Sequence, residues 1–447
     1  MFTQEVSPRW ALALLAIASA LISLAPYKPV GAQTLKPVDR DRGHIRLKSI
    51  KNDIKKNYYD PNFHGIDLDA RFKLADDKVD QATSIGQVFG IVAQTLLDFD
   101  DSHLFFVPPQ RSDKVDYGWQ MQAFGENCYV SAVKPGSDAE AKGLKPGDQI
   151  KAVDNFTPVR DNLWKLKYLY YALRPQPGAR LIVQSPGGRE RQVDVLAKVK
   201  QGKQRIDLTG RMADNDIWDL IREGENQDRI RRHRYYEMGD DALIWKMPQF
   251  DLDEHGVDEL MGKAKKRKAL ILDLRGNPGG SEETLKLLLG YFVDSEEKVG
   301  DIKRRKETKP LTVKPRGGGF KGKLVVLIDA ESGSSAEIFS RVIQLQHAGT
   351  IIGDRSAGAV MRARNYSYQI GADTVVFYSA SITDADLVLN DGQSLEHKGI
   401  KPDILVLPTA EDLAANRDPV LARAAELVGL KLDAAKAGTL FPVEWLK

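Results

Sequence analysis

The sequence has almost no cysteine and almost no net charge. Cys128 is the single cysteine among 447 residues, so the chain forms no internal disulfide and has no CxxC zinc site. Its 65 lysines and arginines nearly balance 62 aspartates and glutamates, for a formal net charge of +3 and no general attraction to nucleic acid. A chain of this length has to be stabilised by buried apolar cores alone.

Long apolar runs are absent after the first residues. The uncharged run 10–24 follows Arg9, and a small residue, Ala32, closes the segment. This order is typical of a secretory signal peptide over residues 1–32, cleaved after Ala32, with an uncleaved membrane anchor as the alternative. We expect a secreted or periplasmic protein with no stable membrane span once the signal is removed.

The hydrophobic periodicity predicts several domains of different fold class. Apolar residues recur at helical spacing in the first part of the mature chain, whereas later apolar runs such as Leu324–Ile328 fit strands that are buried on both faces. The prediction is a multidomain α+β and α/β protein. It consists of an N-terminal helical domain (40–112), a small β-rich domain (113–200), an α/β domain (201–408) and a C-terminal helical tail (409–447).

Short β-type runs alternate with Gly/Pro turns in the second of these domains. The segments Val130–Val133 and Gly147–Ile150 resemble a PDZ domain, which binds an extended peptide by adding it as a strand to a sheet edge. The resemblance implies that Tyr117, Gly118, Trp119 and Gln120 bind the peptide. These four residues are only loosely similar to the usual Gly-Leu-Gly-Phe loop, so a preference for a free carboxylate is left open.

Two segments of the α/β domain carry the chemistry. Asp273–Gly280 follows a buried strand, and its glycines allow main-chain N–H groups to face a cavity and stabilise an oxyanion. Asp329–Phe339 follows the next buried strand and opens a helix, where a serine hydroxyl meets free N–H groups and the positive end of the helix dipole. Taken separately, the segments also fit an ordinary turn and an ordinary N-cap.

Together, and behind a PDZ-like domain, these segments resemble the carboxyl-terminal processing proteases, also called tail-specific proteases. The resemblance implies a crotonase-like α/β catalytic domain. It also implies that the nucleophile is Ser334, the third residue of the family's Ser-Ala-Ser-Ala-Ser-Glu stretch, here Ser-Gly-Ser-Ser-Ala-Glu.

The lysine base of the best-known members of this family is missing. Gapless counting puts Ala359 in its place, and there is no lysine between Lys323 and Lys398. Arginine stays protonated and cannot serve as the base. The chain is more similar to the tricorn-core branch, which uses a Ser-His pair ahead of the PDZ domain and a late glutamate. The matching residues here are Ser102, His103 and Glu396.

This resemblance implies a Ser-His-Ser-Glu tetrad without a metal or other cofactor, acting on protein or peptide substrates. Ser334 would attack and His103 would act as base, while Ser102 and Glu396 orient the imidazole. The oxyanion would be bound by the N–H of Ser335 and that of Gly279 or Gly280. His397 is the nearest rival base.

Two other functions remain open at this stage. The interphotoreceptor retinoid-binding proteins resemble the same core and bind apolar ligands, so an inert ligand-binding protein is one alternative. A peptide scaffold that acts through the PDZ-like domain alone is the other.

Overall fold

Three α-helices open the described part of the chain. The computed structural model describes residues 35–111, 113–201, 232–371 and 375–445, so the predicted signal peptide lies outside it. The helices are α1 (Pro37–Asn57), α2 (Leu68–Asp80) and α3 (Ile85–Leu97). Apolar residues recur at helical spacing on their buried faces, whereas Ile45 and Ile85 are 48% and 39% exposed. Across the described residues, none of the helices combines the length and apolarity that crossing a bilayer requires.

Residues 113–201 form a five-stranded antiparallel sheet with helices against it. The sheet order is β3-β4-β5-β6-β7, so β3 is an edge strand, and β2 pairs separately with β8. A π-helical segment, Tyr168–Leu173, continues α5. The elements are β2 (Asp113–Asp116), β3 (Trp119–Phe124), β4 (Asn127–Val133), α4 (Asp138–Ala141), β5 (Gln149–Val153), α5 (Leu163–Lys167), β6 (Gly178–Gln184), β7 (Glu190–Leu196) and β8 (Lys198–Gln201).

A mostly parallel six-stranded sheet carries the chemistry-bearing loops. Its order is β18-β15-β14-β11-β10-β9, and only β9 is antiparallel to its neighbour. Because alternate residues of a strand face opposite sides, Leu270 packs on one helical layer and Ile271 on the other. The elements are β9 (Arg234–Met238), β10 (Ala242–Lys246), α6 (Glu254–Ala264), β11 (Ala269–Asp273), α7 (Glu282–Leu289), β14 (Lys323–Ile328), α8 (Ser335–Leu345), β15 (Thr350–Gly353) and β18 (Ile404–Leu405).

The C-terminal tail is part of this layered structure. Helices α10 (Pro419–Leu427) and α11 (Ala434–Leu440) cover the second face of the parallel sheet, after the short α9 (Ala410–Ala414). The predicted helical tail thus contains several short helices, two of which pack on the sheet. The tail supplies the second layer that a parallel sheet needs.

A further sheet, absent from the sequence prediction, completes the fold. The long strand β17 (Val376–Leu389) pairs with β16 (Met361–Ile370) on one side, and on the other with β1 (Phe105–Val107) and β12 (Glu297–Arg304), which pairs in turn with β13 (Thr308–Val313). Since β1 directly follows the Ser-His pair, this sheet brings residues 102 and 103 to the parallel sheet's loops.

Candidate active site

Ser334 stands at the junction of the β14–α8 loop and helix α8 in a strained conformation. Its φ of 48° and ψ of −117° lie in a region that non-glycine residues rarely adopt. Such a conformation costs about 1–3 kcal/mol and persists only where the surroundings hold it. The Ser334 N–H donates to Ala359 O at 2.9 Å and to Glu337 Oε2 at 3.1 Å.

The three serines of this loop are distinguished by their surroundings. The Ser332 hydroxyl is fully buried and donates to Leu274 O, and the Ser335 hydroxyl, in a side chain 3% exposed, donates to Gly280 O. Ser334 is the one that is partly exposed. The geometry therefore favours Ser334 as nucleophile over its two neighbours.

Glu337 fixes the loop from beneath. It is fully buried, and its carboxylate accepts four hydrogen bonds, from Ser334 N, Ser356 Oγ, Gly358 N and Ala359 N. Burial raises the pKa of Glu337 to about 7, although the four donors favour the ionised form. No role was predicted for this residue. The available signal was its position three residues after Ser334, the spacing of a capping box.

The other predicted residues meet across 294 positions of sequence. Ser102 Oγ lies 2.8 Å from His103 Nδ1 and donates to Glu396 Oε2 at 2.9 Å, while the Ser102 N–H donates to Glu396 Oε1. Because the single hydroxyl proton goes to the carboxylate, Ser102 Oγ accepts from the Nδ1–H of His103. This fixes the tautomer and leaves Nε2 as the acceptor.

The pKa values of His103 and Glu396 are shifted in opposite directions. Desolvation lowers the pKa of His103, which the charge of Asp101 partly offsets. Burial and then the Asp101 charge raise the pKa of Glu396 to about 7, against hydrogen bonds from the N–H groups of Ser102 and Val360. Neutral imidazole is thus the favoured form of His103 at neutral pH.

A cavity of about 640 Å³ is lined by both His103 and Ser334. No direct hydrogen bond joins these two described side chains, which is common for catalytic groups before substrate binds. Leu285, Ile338 and Leu387 contribute apolar wall to the same cavity. The cavity could therefore hold an apolar side chain next to the serine and the histidine.

Of the two glycines predicted to bind the oxyanion, the geometry favours Gly280 over Gly279. The Gly279 N–H already donates to Asn277 Oδ1 at 2.8 Å, so Gly279 is unsuited to the role. Within the described residues, the N–H groups of Gly280 and Ser335 have no acceptor, and both residues line the cavity. Gly279 instead leaves room for the nucleophile, since a Cβ at this position would lie 2.6 Å from the Ser334 Cβ.

His397, the rival base, and Ala359, at the position of the missing lysine, line a different cavity from Ser334. His397 is 51% exposed, its Nε2 lies 2.7 Å from Asp100 O, and it lines a separate cavity of about 380 Å³ together with Ala359. His103 alone of the two histidines shares a cavity with Ser334. The geometry thus gives His397 no access to the nucleophile.

The predicted peptide-binding residues do not form an open cradle. Tyr117, Gly118, Trp119 and Gln120 are all buried. The Gly118 N–H donates to the carboxylate of Asp116 at 2.9 Å, so in this conformation it is not available to a ligand carboxylate.

Residues 113–200 contact the nucleophile loop directly. Gln122 on β3 donates to Asp329 Oδ2 at 2.6 Å, and Lys167 at the end of α5 pairs with Glu331 at 2.6 Å. Arg160 pairs with Asp354 at 2.8 Å, with side chains only 6% and 7% exposed. The β-rich segment is therefore joined to the loop that precedes Ser334 by side chains that sequence reasoning did not single out.

Known proteases are similar to this chain in sequence. Residues 242–406 match the family described as peptidase family S41. The tail-specific protease of Haemophilus influenzae is 23% identical over 354 residues, 75% of this chain and 48% of that protein. The carboxy-terminal processing protease CtpA of Bacillus subtilis is 23% identical over 372 residues, 80% of this chain and 68% of that protein. The chain thus spans about half the length of the first relative.

The fold is similar to that of mature CPAF, solved in complex with lactacystin. The TM-score is 0.61 at 15% identity, over 84% of this chain and 95% of that one. The predicted resemblance to carboxyl-terminal processing proteases is confirmed, as is a mixed α/β fold with several sheets. Residues 242–406 match peptidase family S41, and the chain is similar to tail-specific and carboxyl-terminal processing proteases over most of its length.

Proposed function

We propose that the chain is a serine endopeptidase that cleaves protein or peptide substrates with a Ser-His-Ser-Glu tetrad. The observation that carries the proposal is the chain of hydrogen bonds from Glu396 through Ser102 to His103, on the wall of the cavity that also holds Ser334. The absence of a lysine near Ala359 supports the histidine branch over a Ser/Lys dyad.

In this mechanism His103 first accepts a proton from Ser334 and then donates it to the leaving group. Nε2 takes the proton of the Ser334 hydroxyl as Oγ bonds to the scissile carbonyl carbon, and the N–H groups of Gly280 and Ser335 bind the oxyanion that forms. The proton then passes from Nε2 to the leaving amine as the C–N bond breaks. Water completes the cycle by hydrolysing the acyl-serine, again with His103 as base.

The segment 113–200 is proposed to be a PDZ domain that presents or gates the substrate. Its edge strand β3 offers a site for strand addition, and two of its side chains reach the loop before Ser334. Binding of a peptide at that edge could thus alter the position of the nucleophile. The boundaries 40–112 and 113–200 and export by a signal peptide over 1–32 belong to the same proposal.

Labelling with a fluorophosphonate probe tests the activity. We expect covalent modification of Ser334 in the full chain, loss of labelling in Ser334→Ala, and hydrolysis of an unfolded protein by the unlabelled enzyme. Absence of both labelling and hydrolysis would instead favour an inert protein that binds peptides or apolar ligands, for which the apolar wall of the cavity is also suited.

A further inference from the structure

A buried carboxylate beside the tetrad has no place in the mechanism above. Asp101 is 4% exposed and accepts three hydrogen bonds: from Tyr58 Oη at 2.8 Å, from Thr383 Oγ1 at 2.7 Å and from the His103 N–H at 2.9 Å. No lysine or arginine among the described residues pairs with it. Three donors and no cation suit a carboxylate whose negative charge stays available to a neighbour.

The neighbours of Asp101 identify where that charge acts. Two of its hydrogen-bond donors come from other elements of the fold: Tyr58 follows the end of α1, and Thr383 lies on strand β17. The third contact is with the main chain of His103, two residues later, and the Asp101 charge opposes the desolvation that lowers the pKa of His103.

Glu396 is differently placed. Its carboxylate reaches the imidazole only through the Ser102 hydroxyl, and it accepts main-chain N–H groups from Ser102 and Val360. Burial and the charge of Asp101 raise its pKa to about 7, so near neutral pH it carries less negative charge than an exposed glutamate. One carboxylate, that of Glu396, can therefore orient the imidazole, while the other, that of Asp101, balances its positive charge.

Other charged groups near the cavity have partners of their own, although Asp386 lines the same cavity as His103. Asp386 accepts from Ser394 at 2.8 Å, and Arg362 pairs with Glu282 at 2.8 Å across the cavity. Asp251 pairs with His233, and His397 faces Asp100. Tyr59, at the end of α1, stays neutral because burial raises its pKa.

We propose that Asp101 is the counter-charge of the His103 imidazolium, while Glu396 orients the ring through Ser102. Asp101 is thus a positioning residue: it touches no substrate and acts through the histidine. The inference rests on the proposed peptidase function, and it predicts an effect on the ionisation of His103 that a purely structural carboxylate would not produce.

The test is the rate of fluorophosphonate labelling of Ser334 against pH in the full chain. Asp101→Asn should move the acid limb about one unit lower in pH and reduce the plateau rate about tenfold, because the imidazolium loses a nearby opposite charge. Asp101→Glu should restore the limb, and Glu396→Gln should lower the plateau with a smaller shift. Asp100→Asn is the matched control, since its side chain is 81% exposed and next in sequence.

A limb in Asp101→Asn that coincides with that of Asp100→Asn, or a larger shift in Glu396→Gln, would overturn the assignment. If Asp101→Asn does not fold, the double variant Tyr58→Phe/Thr383→Val keeps the carboxylate without two of its donors. The acid limb should then move to lower pH, because a carboxylate with fewer donors holds its negative charge less firmly, and an unchanged limb would count against the proposal. If the wild type does not label at all, the peptidase function fails, and NMR titration of His103 in wild type and Asp101→Asn still decides the role of Asp101.

Discussion

Glu337 Oε2 accepts a hydrogen bond from the main-chain N–H of Ser334, 3.1 Å away and three residues earlier. The same carboxylate binds the N–H groups of Gly358 and Ala359, and Val360 next to them donates to Glu396. The strained serine and the glutamate behind the histidine are thus held by one short segment, residues 356–360. A displacement of that segment would disturb both halves of the tetrad together.

Ser334→Ala should abolish hydrolysis and fluorophosphonate labelling while changing the free energy of unfolding by no more than about 1 kcal/mol, because only a partly exposed hydroxyl is removed. Ser332→Ala is the contrasting variant: it loses a buried hydrogen bond to Leu274 O, so it should be destabilised by about 1 kcal/mol yet still label. Full activity in Ser334→Ala would mean that another serine is the nucleophile.

His103→Ala should reduce kcat by about 10³-fold or more, as loss of the base does in related triads. In the wild type, kcat/KM should rise with pH through an ionisation below 6.5, since neutral imidazole is required and desolvation lowers the pKa of His103. His397→Ala serves as the control on an exposed ring outside the cavity, and a greater loss in that variant would contradict the choice of base.

Glu337→Gln should lower kcat about 10²-fold with little change in KM, because an amide presents a donor to main-chain N–H groups and shifts the nucleophile. The control is Glu283→Gln, on an exposed glutamate in the first turn of α7. Wild-type kcat in Glu337→Gln would show that Ser334 keeps its conformation without the carboxylate.

The stability of the wild type should fall as the pH rises from about 4.5 to 7 through Glu337 and Glu396. Each has a folded-state pKa raised to about 7, so the folded protein binds more protons than the unfolded chain in that window, and the stability is lost as pH rises through the folded pKa. Chemical denaturation at pH 5 and pH 7 should therefore show Glu396→Gln gaining on the wild type by about 1 kcal/mol or more. An equal difference at both pH values would be inconsistent with the raised pKa.

Lys167→Met should lower kcat on a short peptide, because it breaks the 2.6 Å pair between the proposed PDZ domain and Glu331 in the nucleophile loop. Lys165→Met, an exposed lysine on the same helix, is the matched control. If only long substrates are cut more slowly, the domain tethers the substrate and does not gate the site. Equal rates for both variants on both substrates would remove this ion pair from the mechanism.

Much of the fold could be predicted from strands whose apolar runs are continuous, such as β11 and β14. Strand β17 escaped prediction because Ser379, Ser381 and Thr383 are polar yet buried, and the partner of Thr383 is Asp101, which is distant in sequence. A polar residue in a strand resembles a loop residue until its partner is known.

Sequence motifs single out some residues of the candidate site, whereas other residues are identified only by their tertiary contacts. Ser102, His103, Ser334 and Glu396 follow from the family resemblance, and the structure brings the first, second and fourth into one hydrogen-bonded chain. The roles of Glu337 and Asp101 depend on tertiary contacts. A choice between Gly279 and Gly280 needed the hydrogen bond of Asn277.

The tail helices have a consequence for the order in which the site can be assembled. Asp418, the N-cap residue of α10, forms two hydrogen bonds, of 2.9 and 2.7 Å, with Arg275 in the loop that carries the proposed oxyanion glycine. Asp418 follows all four proposed tetrad residues in the chain, so a ribosome synthesises it after them. The nascent polypeptide therefore lacks this support for its glycine loop until Asp418 has been synthesised and α10 has folded.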